Sequence, residues 1–145
     1  MEWDVKTLQW TRKPAEYTIA PDRIEITTAP GTDLWQRTYY HFRNDNALAL
    51  QLTTDEPYFS FVTCCDFSGA CHRFDQCGVV MYLDPENWLK GSVEYENDQF
   101  CHLGSVITNH GWLDWATTEM PVCASSALNT VCMEAGCPYH PRRAS

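Results

Sequence analysis

Apolar and polar residues alternate with a period of two along much of the first half of the chain. Successive side chains of a β-strand point to opposite faces, so this period collects the apolar residues of a strand on one side. The pattern predicts core-facing strands in three segments: Arg23–Thr28 with Ile24 and Ile26 inside, Ala47–Thr53 with Leu48, Leu50 and Leu52 inside, and Tyr58–Cys65 with Phe59, Phe61 and Cys65 inside. No stretch before Pro121 has the apolar spacing of a long amphipathic helix.

Turn-forming residues separate these short segments. Ala29–Asp33 and Asp84–Asn87 each combine a proline, which fixes φ, with residues that accept tight backbone geometry. Short strands at this spacing are typical of a β-sandwich or jelly roll, whereas a mixed α/β sheet would need helices between its strands. The sequence therefore predicts an all-β fold.

The segment Trp88–Tyr95 is the most informative, because its two faces differ in character. One face collects Trp88, Lys90, Ser92 and Glu94, and the other collects Leu89, Gly91, Val93 and Tyr95. We expect the apolar face to join the core and the polar face to be open to solvent or to a ligand.

Composition and charge narrow the possible functions. The 145 residues fit one domain, and 44% apolar residues suffice for a hydrophobic core. The net charge of −9 argues against nucleic acid and anionic membranes as partners, because Lys and Arg supply most of the affinity for phosphate.

The segment Met1–Trp10 does not resemble a secretory signal and no segment is long enough to cross a bilayer, so we expect a cytoplasmic location. In that compartment the eight cysteines should be reduced, without structural disulfides.

The composition changes after Pro121. From Val122 to Ser145 the chain is rich in small residues and cysteines, and Glu134 is its single acidic residue. We therefore predict a sandwich domain over residues 1–121 and a divergent or loosely ordered tail over residues 122–145.

Five short motifs, taken in order, resemble those of one family. They are TDLW at Thr32–Trp35, FDQCG at Phe74–Gly78, NWLKGSVEY at Asn87–Tyr95, SVIT at Ser105–Thr108 and DW at Asp114–Trp115. They are similar to motifs of the uncharacterised concanavalin-A-like family known as domain of unknown function 1349, which includes the fungal regulation-of-enolase proteins. The resemblance implies a concanavalin-A-like jelly roll, an antiparallel β-sandwich of two sheets. It implies no activity, because the family has no established reaction and one fold hosts many functions.

The resemblance stops near Pro121, where members of that family usually continue with further strands. A truncated or frame-shifted end and a genuinely divergent end are both open explanations for residues 122–145. A sandwich without its closing strands would have unpaired sheet edges, which favour self-association.

The polar face of the NWLKGSVEY segment suggests a site for a small polar ligand. A sugar ring stacks on tryptophan while its hydroxyls need both donors and acceptors. We predict that Trp88 stacks on such a ligand, that Lys90 and Gln76 donate hydrogen bonds, and that Glu94 and Asp75 accept them. The alternatives are a solvated Lys90–Glu94 pair, and a turn in which Asp75 caps backbone N–H groups.

A glycoside-active enzyme is a second hypothesis, since glycosidases place two carboxylates across the scissile bond. The sequence offers Glu94 with Asp75 or with Asp114, and Asp114 lies between Trp112 and Trp115, which could form the wall of a cleft. The Glu-x-Asp-x-x-Glu run that laminarinase-type relatives of the fold carry is missing. A third hypothesis is a regulatory module that binds another protein and no small ligand.

Neither a metal site nor a cofactor is expected. The candidate metal ligands are Cys64, Cys65, Cys71, His72, Cys77, Cys132, Cys137 and His140. They do not form two matching C-x₂-C pairs, the spacing that zinc sites prefer, so buried free thiols are the simpler interpretation. The chain also has no G-x-S-x-G elbow, H-E-x-x-H helix or glycine-rich phosphate loop, and His41, His102 and His110 are isolated.

Overall fold

The computed structural model describes residues 7–39, 41–66 and 68–122, and the backbone of residues 130–136. Within these residues the regular structure consists of twelve β-strands in antiparallel pairs. No helix in this part of the chain is long and apolar enough to cross a membrane. The chain divides into two units, Met1–Asp55 and Glu56–Ser145. The predicted all-β fold is confirmed.

The first unit contains three short two-stranded ribbons. β1 (Gln9–Trp10) pairs with β6 (Leu50–Gln51), β2 (Glu16–Ile19) with β3 (Ile24–Thr27), and β4 (Leu34–Gln36) with β5 (Arg43–Asp45). The strands predicted within residues 23–28 and 47–53 are thus present in shorter form. Ile24 and Ile26 share a face as expected, but both are exposed, so their assignment to a core is wrong.

The second unit contains a four-stranded sheet and a two-stranded ribbon. The sheet has the order β11-β10-β9-β8, from β8 (Gln76–Asp84), β9 (Asn87–Tyr95), β10 (Phe100–Asn109) and β11 (Trp112–Pro121). In the ribbon, β7 (Ser60–Asp66) pairs with β12 (Thr130–Gly136). β12 belongs to the segment predicted as a tail; residues 123–129 and 137–145 of that segment lie outside the described residues.

Both predicted turns are present. Gly31, in the first, has a left-handed φ of 71°. In the second, Asp84 Oδ1 accepts hydrogen bonds from the backbone N–H of Glu86 at 2.8 Å and from Nδ2 of Asn87 at 2.9 Å. Both bonds hold the pKa of Asp84 below its usual value, and the bond from Glu86 has the larger effect. The Asp84 carboxylate therefore stabilises the β8–β9 turn in its ionised form.

A two-residue turn sets the register between β10 and β11. His110 and Gly111 have φ values of 49° and 73°, the left-handed pair that a type I′ hairpin turn requires. Pairing then continues without a slip from Asn109 opposite Trp112 to Phe100 opposite Pro121. The turn thereby assigns every side chain of both strands to a face.

Gly78, in the FDQCG motif, lies where β8 and β9 approach closely. A Cβ at this position would lie 2.0 Å from the carbonyl oxygen of Gly91 and 2.8 Å from Cα of Ser92. Cβ atoms essentially never come within 3.0 Å of another heavy atom, so a side chain here would require the backbone to move. This close approach explains the glycine in the motif.

β7 alternates as predicted, with Phe61 and Cys65 on its half-buried side and Cys64 on its exposed side. Cys64 is disulfide-bonded, which contradicts the expectation that all thiols are reduced. Directly opposite Cys64 in the β7–β12 ladder stands Cys132.

The polar face of β9 is buried, and its apolar face is covered only in part. Trp88, Lys90, Ser92 and Glu94 are all buried, with exposed fractions of 4%, 8%, 2% and 5%. On the apolar face Val93 is buried, but Leu89 is 38% exposed. The expectation of an open polar face is therefore wrong, because the polar side chains lie on the better-covered side of the sheet.

Candidate functional site

Polar side chains from four neighbouring strands lie on one face of the β8–β11 sheet, which we call the polar face. Four polar residues lie directly opposite one another in neighbouring strands and form one row across the sheet: Gln76 of β8, Glu94 of β9, His102 of β10 and Glu119 of β11. Along β9 the same face continues with Ser92, Lys90 and Trp88. The polar face therefore combines positive and negative charge with a hydroxyl, an amide and an imidazole.

Lys90 and Glu94 each have a neutral hydrogen-bond partner on the polar face. Lys90 Nζ donates to Oε1 of Gln76 at 2.9 Å. Ser92 Oγ donates to Oε1 of Glu94, also at 2.9 Å. Because Lys90 and Glu94 are both buried, a solvated ion pair does not describe them. Each charged group is held at least in part by an uncharged neighbour.

Gly104 provides the space into which the Glu94 side chain extends. Gly104 lies opposite Ser92 in the β9–β10 ladder. A Cβ on Gly104 would lie 3.2 Å from Oε1 of Glu94 and 3.6 Å from Nε1 of Trp115. The carboxylate and the indole nitrogen therefore border the same small space. Trp115 lies on the edge strand β11 and is 40% exposed, so solvent reaches part of its side chain.

Trp88 occupies a buried position at the far end of the polar face. Trp88 is 4% exposed and its Nε1 donates to the carbonyl oxygen of Pro85 at 3.3 Å, so packing within the protein accounts for its position. Thr108, its neighbour on β10, is also 4% exposed, and its hydroxyl has no hydrogen-bond partner in the part of the chain that is described. Buried polar groups are nearly always hydrogen-bonded, so this hydroxyl is an exception among the described residues.

Asp75 lies in the loop before β8, and its carboxylate binds the backbone of that loop. Its Oδ2 accepts hydrogen bonds from the N–H groups of Cys71 at 3.0 Å and His72 at 2.9 Å. Both bonds lower the pKa of Asp75, and the bond from Cys71 has the larger effect. The turn-capping alternative therefore describes Asp75. The other four predicted binding residues share the polar face: Gln76, Trp88, Lys90 and Glu94.

Asp114 lies on the opposite face of the sheet from Glu94. Alternation along β11 separates Asp114 and Trp112 from Trp115 and Glu119, and the register places Glu94 on the side of the latter pair. The structure therefore does not bring Glu94 and Asp114 into one cleft, and the two tryptophans do not form a common wall.

The thiols of Cys65 on β7 and Cys77 on β8 form a hydrogen-bonded pair. The bond from Cys77 lowers the pKa of Cys65 from 9.0 to about 7. The same contact, together with burial, raises the pKa of Cys77. Cys137 and His140, two of the candidate metal ligands in the sequence, lie outside the described residues.

The family described as "Protein of unknown function (DUF1349)" matches residues 10–136 of the chain. The chain belongs to this family. The DUF1349 chain is also similar to the crystal structure of a functionally unknown protein from Saccharomyces cerevisiae, with a TM-score of 0.77 and 24% sequence identity, over 94% of this chain and 69% of that chain. No curated protein matches it.

These similarities confirm the resemblance inferred from the five motifs and the β-sandwich fold class. The DUF1349 match extends beyond Pro121 to residue 136 and so includes β12. Neither similarity assigns a function, because the family and the yeast protein are both of unknown function.

Three residues of the DUF1349 polar face were not among the predicted site residues: His102, Gly104 and Glu119. Trp115 was predicted only as part of a cleft wall beside Asp114. The hairpin turn at His110–Gly111 was a usable signal, because it fixes which residues of β10 and β11 lie side by side. No comparable two-residue turn joins β9 and β10 in the sequence. The residues of β10 and β11 that lie beside Glu94 could therefore not be predicted.

Proposed function

We propose that this DUF1349 domain binds a small polar ligand, such as a carbohydrate, on the polar face. The observation that carries the proposal is the burial of Lys90 and Glu94, 8% and 5% exposed, on one face of one sheet. Burying a charge is costly unless polar groups surround it. Here Gln76 and Ser92 hold the two charged groups in position. Polar groups that are fixed before a ligand arrives lower the entropic cost of binding it.

The charged ends of Lys90 and Glu94 lie closer together than their positions along the strand suggest. Lys90 Nζ donates to Gln76, which lies directly opposite Glu94 in the β8–β9 ladder. A ligand of one sugar ring or of several rings would therefore be able to contact both groups. Trp115 takes the stacking role first assigned to Trp88, because its ring is partly exposed and borders the same space as Glu94.

Glu94→Gln tests the proposal most directly. Glutamine keeps the shape of Glu94 and still accepts the hydrogen bond from Ser92, but it lacks the negative charge. Hydrogen bonds to charged groups contribute about 1.5–3 kcal/mol, so we expect affinity for the ligand to fall about tenfold or more. The measurement is isothermal titration calorimetry of wild type and variant against a panel of neutral oligosaccharides.

Asp114→Asn is the matched control, because it removes a carboxylate from the opposite face of the same sheet. We expect this variant to bind as the wild type does, and circular dichroism should show both variants folded. Failure of the wild type to bind any oligosaccharide in the panel would refute the carbohydrate proposal. Equal losses in both variants would show that net charge, not the polar face, governs binding.

One observation favours a glycoside-active enzyme as the second candidate. Glu94 and Glu119 lie in the same row of the sheet with His102 between them. Two strand spacings put their Cα atoms about 10 Å apart, so side-chain rotation could bring the two carboxyl groups into the range of about 6.5–9.5 Å that inverting glycosidases use. Glu119 would then take the role that the sequence offered to Asp75 or Asp114. Turnover of chromogenic glycosides that is lost in Glu94→Gln and in Glu119→Gln would support this candidate over simple binding.

A further inference from the structure

Three chemically different metal-binding groups lie together in the loop before β8. The ligand atoms of Cys71, His72 and Asp75 all lie within 4.8 Å of one another. Cys71 Sγ is 3.1 Å from Nδ1 of His72, and that nitrogen is 3.6 Å from Oδ2 of Asp75. The cluster therefore presents sulfur, nitrogen and oxygen to a common point.

Backbone hydrogen bonds fix the position of this loop against β9. Phe74 N–H donates to the carbonyl oxygen of Tyr95 at 2.9 Å, and Tyr95 N–H donates to that of Asp75 at 2.8 Å. Asp75 N–H in turn donates to the carbonyl oxygen of His72 at 2.9 Å. Phe74 completes the turn with a left-handed φ of 71°. The three candidate ligands are therefore carried by an ordered turn at the end of the sheet.

We propose that Cys71, His72 and Asp75 bind a divalent cation of the zinc class. In a tetrahedral zinc site, bonds of about 2.3 Å to sulfur and 2.0–2.1 Å to nitrogen or oxygen separate neighbouring ligand atoms by about 3.4–3.6 Å. The separations of 3.1 Å and 3.6 Å in the loop match this geometry after small side-chain adjustments. The mixed donor set also suits zinc, which accepts thiolate, imidazole and carboxylate ligands.

The cluster is open to solvent, so a bound ion could keep a coordination position free for water. The His72 side chain is 83% exposed, so solvent reaches the point between the three ligands. Three protein ligands leave the fourth tetrahedral position to water or another small molecule, as in zinc sites with an open position. The proposal does not depend on ligand binding at the polar face, because neither Cys71 nor His72 belongs to that face.

Cobalt binding to the full, untagged chain tests this site. Co²⁺ replaces Zn²⁺ in such sites, and a thiolate ligand gives a charge-transfer band beside the d–d bands of a tetrahedral ion. We expect one Co²⁺ per chain with both features, and displacement of the cobalt by Zn²⁺. In Cys71→Ser and in His72→Ala the affinity should fall about tenfold or more, since each variant removes one of three protein ligands.

Cys77→Ser and His110→Ala are the matched controls, because they remove a thiol and an imidazole outside the cluster. Both should bind cobalt as the wild type does. Cys71 and His72 are exposed, so their substitution should leave the fold intact, which circular dichroism checks. Asp75 is not substituted, because its carboxylate also holds the loop. The proposal is overturned if the wild type binds no cobalt, or if the charge-transfer band persists at full strength in Cys71→Ser.

Discussion

Three glycines of the β8–β11 sheet differ in the space available to a side chain, so alanine at each position should change stability by a different amount. A Cβ at Gly78 would lie 2.0 Å from a backbone oxygen. At Gly104 it would lie 3.2 Å from the carboxylate of Glu94, and at Gly91 its nearest neighbour would be a methyl group of Val79 at 3.8 Å. The three contacts are a backbone clash, a tight contact and an ordinary one.

The expected free energies of unfolding follow this order. Gly91→Ala makes an ordinary contact and restricts the unfolded chain, so we expect wild-type stability or a gain of up to about 1 kcal/mol. Gly104→Ala must displace a buried carboxylate that Ser92 holds, which should cost about 1–2 kcal/mol. Gly78→Ala meets backbone atoms that cannot rotate away, and a loss of about 3 kcal/mol or more is expected. That loss is large against a total stability of about 5–15 kcal/mol.

Urea unfolding followed by tryptophan fluorescence and circular dichroism measures these differences. With similar m-values, the midpoints should fall in the order Gly91→Ala, Gly104→Ala, Gly78→Ala. Equal midpoints for the Gly91 and Gly104 variants would refute the reasoning, because they would show that Glu94 does not occupy the space above Gly104. A Gly78 variant as stable as the wild type would refute the close approach of β8 and β9.

Three further predictions concern single side chains. Trp88→Ala should lower the free energy of unfolding by about 3–5 kcal/mol in urea, whereas Trp112→Ala, at an exposed position, should lower it far less. The rate of Cys65 alkylation should rise with pH to half its maximum near pH 7, because thiolate is the reactive form, and Cys77→Ala should move this midpoint to higher pH. Glu94→Gln should unfold at the wild-type urea concentration or above, since an amide in place of a buried carboxylate removes the cost of burying a charge and still accepts the bond from Ser92; a loss above about 2 kcal/mol would instead indicate a structural role.

The strands of the second unit could be predicted well from the sequence, but their arrangement only in part. Period-two alternation located β7 and β9, and turn residues separated β8 from β9. The His110–Gly111 turn further determines the register of β10 with β11. The register between β9 and β10 had no such local signal, so the row that joins Glu94 to His102 and Glu119 emerged only from the structure.

The covered face of the sheet could not be predicted from alternation. A period of two shows that Trp88 and Glu94 share one side and that Leu89 and Val93 share the other, but it does not show which side other parts of the protein cover. That outcome depends on contacts distant in sequence. The structure buries the polar side as well as Val93 and leaves Leu89 partly exposed, so the expectation of an open polar side was wrong.

Burial has opposite implications for two residues of the same predicted site. An indole ring gains free energy wherever it is removed from water, so the burial of Trp88 is explained by packing alone. A carboxylate loses hydration on burial, and the hydroxyl of Ser92 replaces only one of the water contacts that Glu94 could make in solution. Packing therefore accounts for Trp88, while the buried carboxylate of Glu94 is the feature on which the proposed ligand site rests.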